Sequence, residues 1–157
     1  MFIPSLILAF VVWLWAAPNT EPIYSKVGDI QWAVNMTAAN NTIDITSGTS
    51  YLAFTADATN GGMCSEVRVK VNPSQSSAAT VARAWINNGS TTGTDTNSVL
   101  LTEVGIPATT TTATGALPDF VIPINRALPA GYKIYITLGT APGGSAEMMA
   151  TAIGGKY

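Results

Sequence analysis

From Tyr24 onward the apolar residues recur at every second position, and that period limits what this chain can fold into. Glu66-Val67-Arg68-Val69-Lys70-Val71 alternates without error. Its valines fall on one face and its charges on the other, as in a half-buried antiparallel strand. The same reading predicts strands over Asp29–Met36, Thr42–Thr46, Tyr51–Thr55, Thr80–Asn87, Val99–Val104, Asp119–Asn125, Lys133–Leu138 and Met148–Ile153. About nine short strands at regular spacing suit a sandwich or a barrel. No segment after Ala17 carries helical periodicity.

The connections agree with this. Asn87-Asn88-Gly89-Ser90 offers residues that tolerate positive φ, and Asn60-Gly61-Gly62, Pro129-Ala130-Gly131 and Pro142-Gly143-Gly144 read as further turns. The Thr-rich stretch 107–114, bracketed by Pro107 and Pro118, reads as a loop or an edge segment. Pro123 points to a sheet edge or a bulge, because proline cannot donate to a ladder. The expected fold is an all-β antiparallel β-sandwich, jelly-roll-like, of two stacked sheets with four or five strands each. It forms a single domain over 19–157, preceded by an apolar N-terminal segment, 1–18.

Composition narrows the work such a domain can do. Of the 157 residues, 47% are apolar and only 10% charged, so Thr, Ser, Asn and Gly must cover the surface. Uncharged polar surfaces of that kind are common on extracellular and virion proteins. A net charge of −2 supplies no positive field for nucleic acid, which is therefore not an expected partner. Cys64 is the only cysteine and histidine is absent, so no intrachain disulfide and none of the usual zinc or copper ligand sets is available. There is no Asp-x-Asp-x-Asp run for calcium, and no metal or cofactor is expected.

Met1 to Ala17 carries no charged side chain. Phe2, Leu6, Leu8, Phe10, Val12, Trp13 and Trp15 cannot stay in water alone, and three readings are open to them. The first is an assembly arm buried by other subunits. The second is a secretory signal, for which Ala16-Ala17 offers small residues but no Lys or Arg precedes the apolar run. The third is a membrane anchor, although 16 helical residues would reach only about 24 Å of a hydrocarbon core that is ~30 Å thick.

Catalytic constellations are weak. Without histidine, a Ser, Thr or Cys nucleophile would need Lys or a carboxylate as its base. Cys64 fits a small buried hydrophobe better than a nucleophile. Glu66, Glu103, Asp119 and Glu147 could supply a glycosidase pair, but solvated strand faces explain them as well. The glycine-rich 139–145 stretch lacks a Walker lysine and a following helix. Asn35, Asn40 and Asn88 open sequons of the kind an Asn/Thr-rich chain yields by chance. No catalytic residue is assigned and the chain is not expected to be an enzyme. Trp32, Tyr51, Trp85 and Tyr132 are the candidate subunit-interface or glycan-contact residues.

Several phrases carry a resemblance. They are Asn19-Thr20-x-Pro22 with Tyr24-Ser25-Lys26-x-Gly28-Asp29-Ile30-Gln31, Phe54-Thr55-Ala56-Asp57-Ala58-Thr59-Asn60-Gly61, and Ala79-Thr80-Val81-Ala82-Arg83 leading to Ile86-Asn87-Asn88-Gly89-Ser90. Further along come Glu103 with Pro107-Ala108-Thr109-Thr110, Ala127-Leu128-Pro129-Ala130-Gly131-Tyr132-Lys133-Ile134, and the closing Thr151-Ala152-Ile153-Gly154-Gly155-Lys156-Tyr157. In this order they resemble a family of small virion structural proteins of tailed phages and prophages. Lys156 stands where an acid is usual, and the leader is this chain's departure. The resemblance implies a β-sandwich on the virion surface that decorates a capsid or belongs to a tail or fibre. It implies partners in copies of itself, with a trimer expected, and in a major capsid or tail protein; it names no catalytic residue. A receptor- or glycan-binding module of a virion, and a secreted or membrane-tethered bacterial surface protein, are the alternatives.

Overall fold

The computed structural model describes residues 25–157 apart from 34, 73, 93 and 94. The arm, signal and anchor readings of 1–18 lie outside the described residues. In chain order the strands are β1 (Val27–Trp32), β2 (Tyr51–Thr55), β3 (Gly62–Val71), β4 (Ser76–Ser77), β5 (Thr80–Asn87), β6 (Ser98–Ile106), β7 (Thr109–Thr110), β8 (Phe120–Leu128), β9 (Lys133–Leu138) and β10 (Met148–Lys156). A short 3-10 turn, Asp95–Asn97, precedes β6. Eight strands build two four-stranded sheets, in the orders β1-β10-β3-β8 and β2-β9-β5-β6, while β4 and β7 make a small separate ribbon. All pairings are antiparallel, and the expected β-sandwich is the fold observed.

The pairing has a simple rule. Setting the ribbon aside, the first long strand pairs with the last, β1 with β10. The second pairs with the seventh, β2 with β9. The third pairs with the sixth, β3 with β8, and the two middle strands, β5 and β6, pair with each other. The chain is thus one long hairpin wound across two layers, and each sheet is completed by one further contact, β10 with β3 or β5 with β9.

Between the sheets lies one apolar core, with Phe54, Val67, Val69, Ile122, Ile134, Ile136 and Met148 fully buried. Each such side chain contributes about 1.5–3 kcal/mol by leaving water. Strand β3 shows how sequence sets this geometry. Val67, Val69 and Val71 point inward at alternate positions, but so does Cys64, three residues before Val67. The phase is reset at Ser65, where Cys64 and Glu66 face consecutive residues, Gly154 and Ile153, of β10. On β10 the inward residues after Met148 are small, Ala150, Ala152 and Gly154, and a Cβ on Gly154 would collide with the Met63 carbonyl and press on the Phe54 ring. Glycine there lets Phe54 fill the core.

Pro123 lies on β8, an edge strand, and the β3–β8 register shifts just beyond it, where Asn125 takes φ 47°. The 107–114 stretch is loop except for the two residues of β7. One expected strand is overturned: Thr42–Thr46 is a run of bends. Asp44 Oδ1 accepts the backbone N–H groups of Thr46 at 2.9 Å and Ser47 at 3.3 Å, so side chains capture the groups a ladder would need.

Candidate functional site

Strand β1 is amphipathic in the reverse of the usual sense. Over its second half, Asp29 and Gln31 face the rest of the domain while Ile30 and Trp32 face out; Val27, in phase with Asp29, is exposed at the start of the strand. Gln31 donates from Nε2 to the Thr55 carbonyl at 2.9 Å and accepts the Thr55 N–H at 2.8 Å, joining β1 to β2 across the edge of the sandwich. The same Nε2 reaches Asp29 Oδ2 at 2.7 Å, and Asp29 is only 14% exposed beside Lys156. Residues on the opposite face of the strand must then point outward. Ile30 is 62% exposed and Trp32 75%.

Cross-strand register extends this ridge. Trp32 stands beside Thr151, then Arg68, then Val121, while Ile30 stands beside Ile153, then Glu66, then Pro123. Met149 follows two positions before Thr151, next to Lys70. The outer face therefore carries Ile30, Trp32, Ile153 and Met149 around Thr151 on β1 and β10, and charges on β3. Its charges are mutually satisfied: Arg68 Nε donates to Glu66 Oε1 at 2.7 Å, Arg68 Nη1 to Asp119 Oδ2 at 3.0 Å, and Lys70 Nζ lies 3.8 Å from the same oxygen. An apolar ridge beside a polar, ion-paired border is the layout of a contact surface.

The four aromatic candidates are not gathered on this surface. Trp32 is on it. Tyr51 and Trp85 are buried within the domain, which takes them off its exposed surface. Tyr51 faces the core, and its hydroxyl accepts the N–H groups of Thr37 and Ala38 at 3.0 and 2.9 Å. Trp85, on the outer side of the other sheet, is 5% exposed and donates from Nε1 to Thr137 Oγ1 at 3.0 Å. The segment around Asn40 is tied to that sheet, Asn40 N–H bonding the Leu138 carbonyl at 2.6 Å and Arg83 Nη1 the Asn40 carbonyl at 3.4 Å. Tyr132 is half-buried against the core. Sequence reasoning named Trp32 but missed Ile30, Ile153 and Met149; the signal for Ile30 was its alternation with Asp29 and Gln31, read with the faces exchanged.

Potential reagents are otherwise engaged. Glu66 and Asp119 share Arg68, and Glu103 pairs with Arg83 at 2.6 Å. Glu147 accepts the side-chain amides of Asn35 and Asn72. Cys64 is fully buried, and burial, with the Glu66 charge adding to it, pushes its thiol up to about 12, which keeps it protonated and unreactive at neutral pH. Among the described residues no group of three or more His, Cys, Asp or Glu could hold a metal ion. No helix of the described residues is long and apolar enough to cross a membrane. Of the three sequons, Asn40 is buried and bonded to Ser47 and Thr42, whereas Asn35 and Asn88 are exposed.

Fold and surface together describe an all-β sandwich that exposes an apolar ridge on β1 and β10. Comparison of the chain with protein-family models, with curated proteins and with solved structures gives no match.

Proposed function

We propose that this chain is a structural protein of a tailed-phage virion. It is a jelly-roll-like sandwich that self-assembles, as a trimer, on the capsid or the tail, and it performs no catalysis. The reading is carried by the inverted polarity of β1. Ile30 and Trp32 face water while Asp29 and Gln31 are turned inward. Apolar area left wet forgoes about 25 cal/mol per Å², a loss that another protein surface removes. One further observation supports it, and one physical argument goes with it. The first-with-last, second-with-seventh pairing is that of a long hairpin rolled over two layers, and this supports the jelly-roll reading. A closed ring of three such subunits also hides exposed edge strands such as β1.

Sedimentation of the full chain over a range of concentrations tests the assembly. A trimer is expected, and Trp32→Ser should move it toward monomer. A monomer at every concentration would overturn the proposal. A map of a particle that contains the chain would assign its place.

The exposure of Trp32 also favours a second reading, a glycan-binding module of a virion, because an indole in solvent can stack on a sugar ring. Binding on a glycan array that disappears in Trp32→Ser, with the trimer intact, would select it.

A further inference from the structure

We infer that the outer face of β1 and β10, built from Ile30, Trp32, Ile153 and Met149, is the seat for the apolar segment 2–17 of a neighbouring copy. The inference deepens the assembly reading and rests on it.

The first argument is one of matching demands. Phe2, Leu6, Leu8, Phe10, Val12, Trp13 and Trp15 form a run without a single charge, and they lie outside the described residues. Ile30 and Trp32 are large apolar side chains that β1 leaves in water on this face, at 62% and 75% exposure, and Val27 at the start of the strand is exposed as well. The second argument is position. The described chain begins at Ser25 and enters β1 at Val27, so in sequence the uncharged run closely precedes the strand that carries the ridge.

The third argument is reach. Ala17 and Val27 are ten residues apart, a connection that spans about 35 Å when extended. A domain of this size has a radius of gyration of about 14 Å, so a connection of that length is long enough to reach an adjacent copy. The fourth is the surplus of apolar surface. Folding back on its own ridge would cover one side of the segment and leave the other wet, whereas lying between two copies covers both. The ion-paired Arg68, Glu66 and Asp119 then form the border of the seat and need no charged partner in the segment.

The test is a disulfide trap in a Cys64→Ala background. Chains carrying Leu8→Cys are co-expressed with chains carrying Ile30→Cys, and mild oxidation is followed by a non-reducing gel. A covalent dimer is expected, with none when Ile30→Cys is replaced by Val121→Cys at the far edge of the same sheet. A crosslink that forms only inside a single chain bearing both cysteines overturns the exchange between copies. A trimer without any crosslink, or a trimer of unchanged stability after deletion of residues 2–17, overturns the seat and leaves the virion reading standing. A monomer in sedimentation overturns both. Flotation of the full chain, and not of the deletion variant, with phosphatidylcholine vesicles would show that the segment goes to lipid and sink the inference.

Discussion

Gln31 and Thr55 are joined by two hydrogen bonds, the side-chain amide of Gln31 taking the place of a backbone peptide against the Thr55 N–H and carbonyl. β1 and β2 belong to different sheets, so this amide is a clasp between the layers at one margin of the sandwich. Asp29 orients it by accepting from the same Nε2. Truncation in Gln31→Ala leaves a half-buried peptide group without partners, and a loss of about 1–3 kcal/mol is expected. Gln31→Glu should cost more at neutral pH, since an oxygen would then face the Thr55 carbonyl and the Asp29 carboxylate. Urea unfolding midpoints of the two variants check the order.

Trp32 and Trp85 both sit in strands, yet opposite outcomes are expected for them. Trp85 is buried with its Nε1–H bonded to Thr137, itself fully buried. Trp85→Ala should lower stability by about 3–5 kcal/mol. Trp32→Ser touches only the outer ridge and should change monomer stability by no more than about 0.5 kcal/mol. Thermal denaturation under conditions that keep the chain monomeric compares the two directly.

Gly154 is held by a packing constraint. A methyl there meets the Met63 carbonyl, which is backbone and cannot swing away, so Gly154→Ala is expected to cost ~3 kcal/mol. Gly105, whose added Cβ meets nothing within 4 Å, supplies the contrast. Gly105→Ala should be neutral or stabilise by about 0.4–1 kcal/mol. Chemical denaturation of the pair tests the assignment.

Acid sensitivity should localise to turn carboxylates. The backbone N–H groups of Asn60 and Thr59 hold the Asp57 carboxyl below its ordinary value of 3.8, with a smaller pull from Lys156. Asp44 is lowered likewise by its hydrogen bonds to Thr46 and Ser47. For a group whose folded value lies below its unfolded one, the stabilisation is present above the unfolded value and disappears as pH falls through the folded one. Stability should therefore decline below about pH 4. The decline should be shallower in Asp57→Asn, as read from denaturation midpoints between pH 5 and pH 2.

The strands were legible wherever alternation was strict. Val67, Val69 and Val71 point inward as their spacing requires, and Pro123 marks an edge. Thr42-Ile43-Asp44-Ile45-Thr46 alternates equally well and is not a strand, because Asp44 bonds the chain to itself over two and three residues. Periodicity detects two faces without saying which one meets the core. Hence Ile30, which alternates with Asp29 and Gln31 as a core residue would, stands in solvent in the fold. Trp85 shows the converse, an outer-face residue that is nonetheless covered. The order of the strands was hidden for a different reason, since pairing the first with the last depends on the whole chain and on no local signal.

That order dictates a timetable. β10 lies between β1 and β3, so the strand that closes the larger circuit is made last. At roughly 5–20 residues per second, on the order of ten seconds separates the emergence of Trp32 from the ribosome from that of its partner strand. Through that interval the nascent chain carries a greasy, half-formed layer that neighbouring nascent chains could engage. Expression at low temperature, or with a chaperone that shields such layers, should therefore govern the yield of soluble protein more than any single contact within the finished fold.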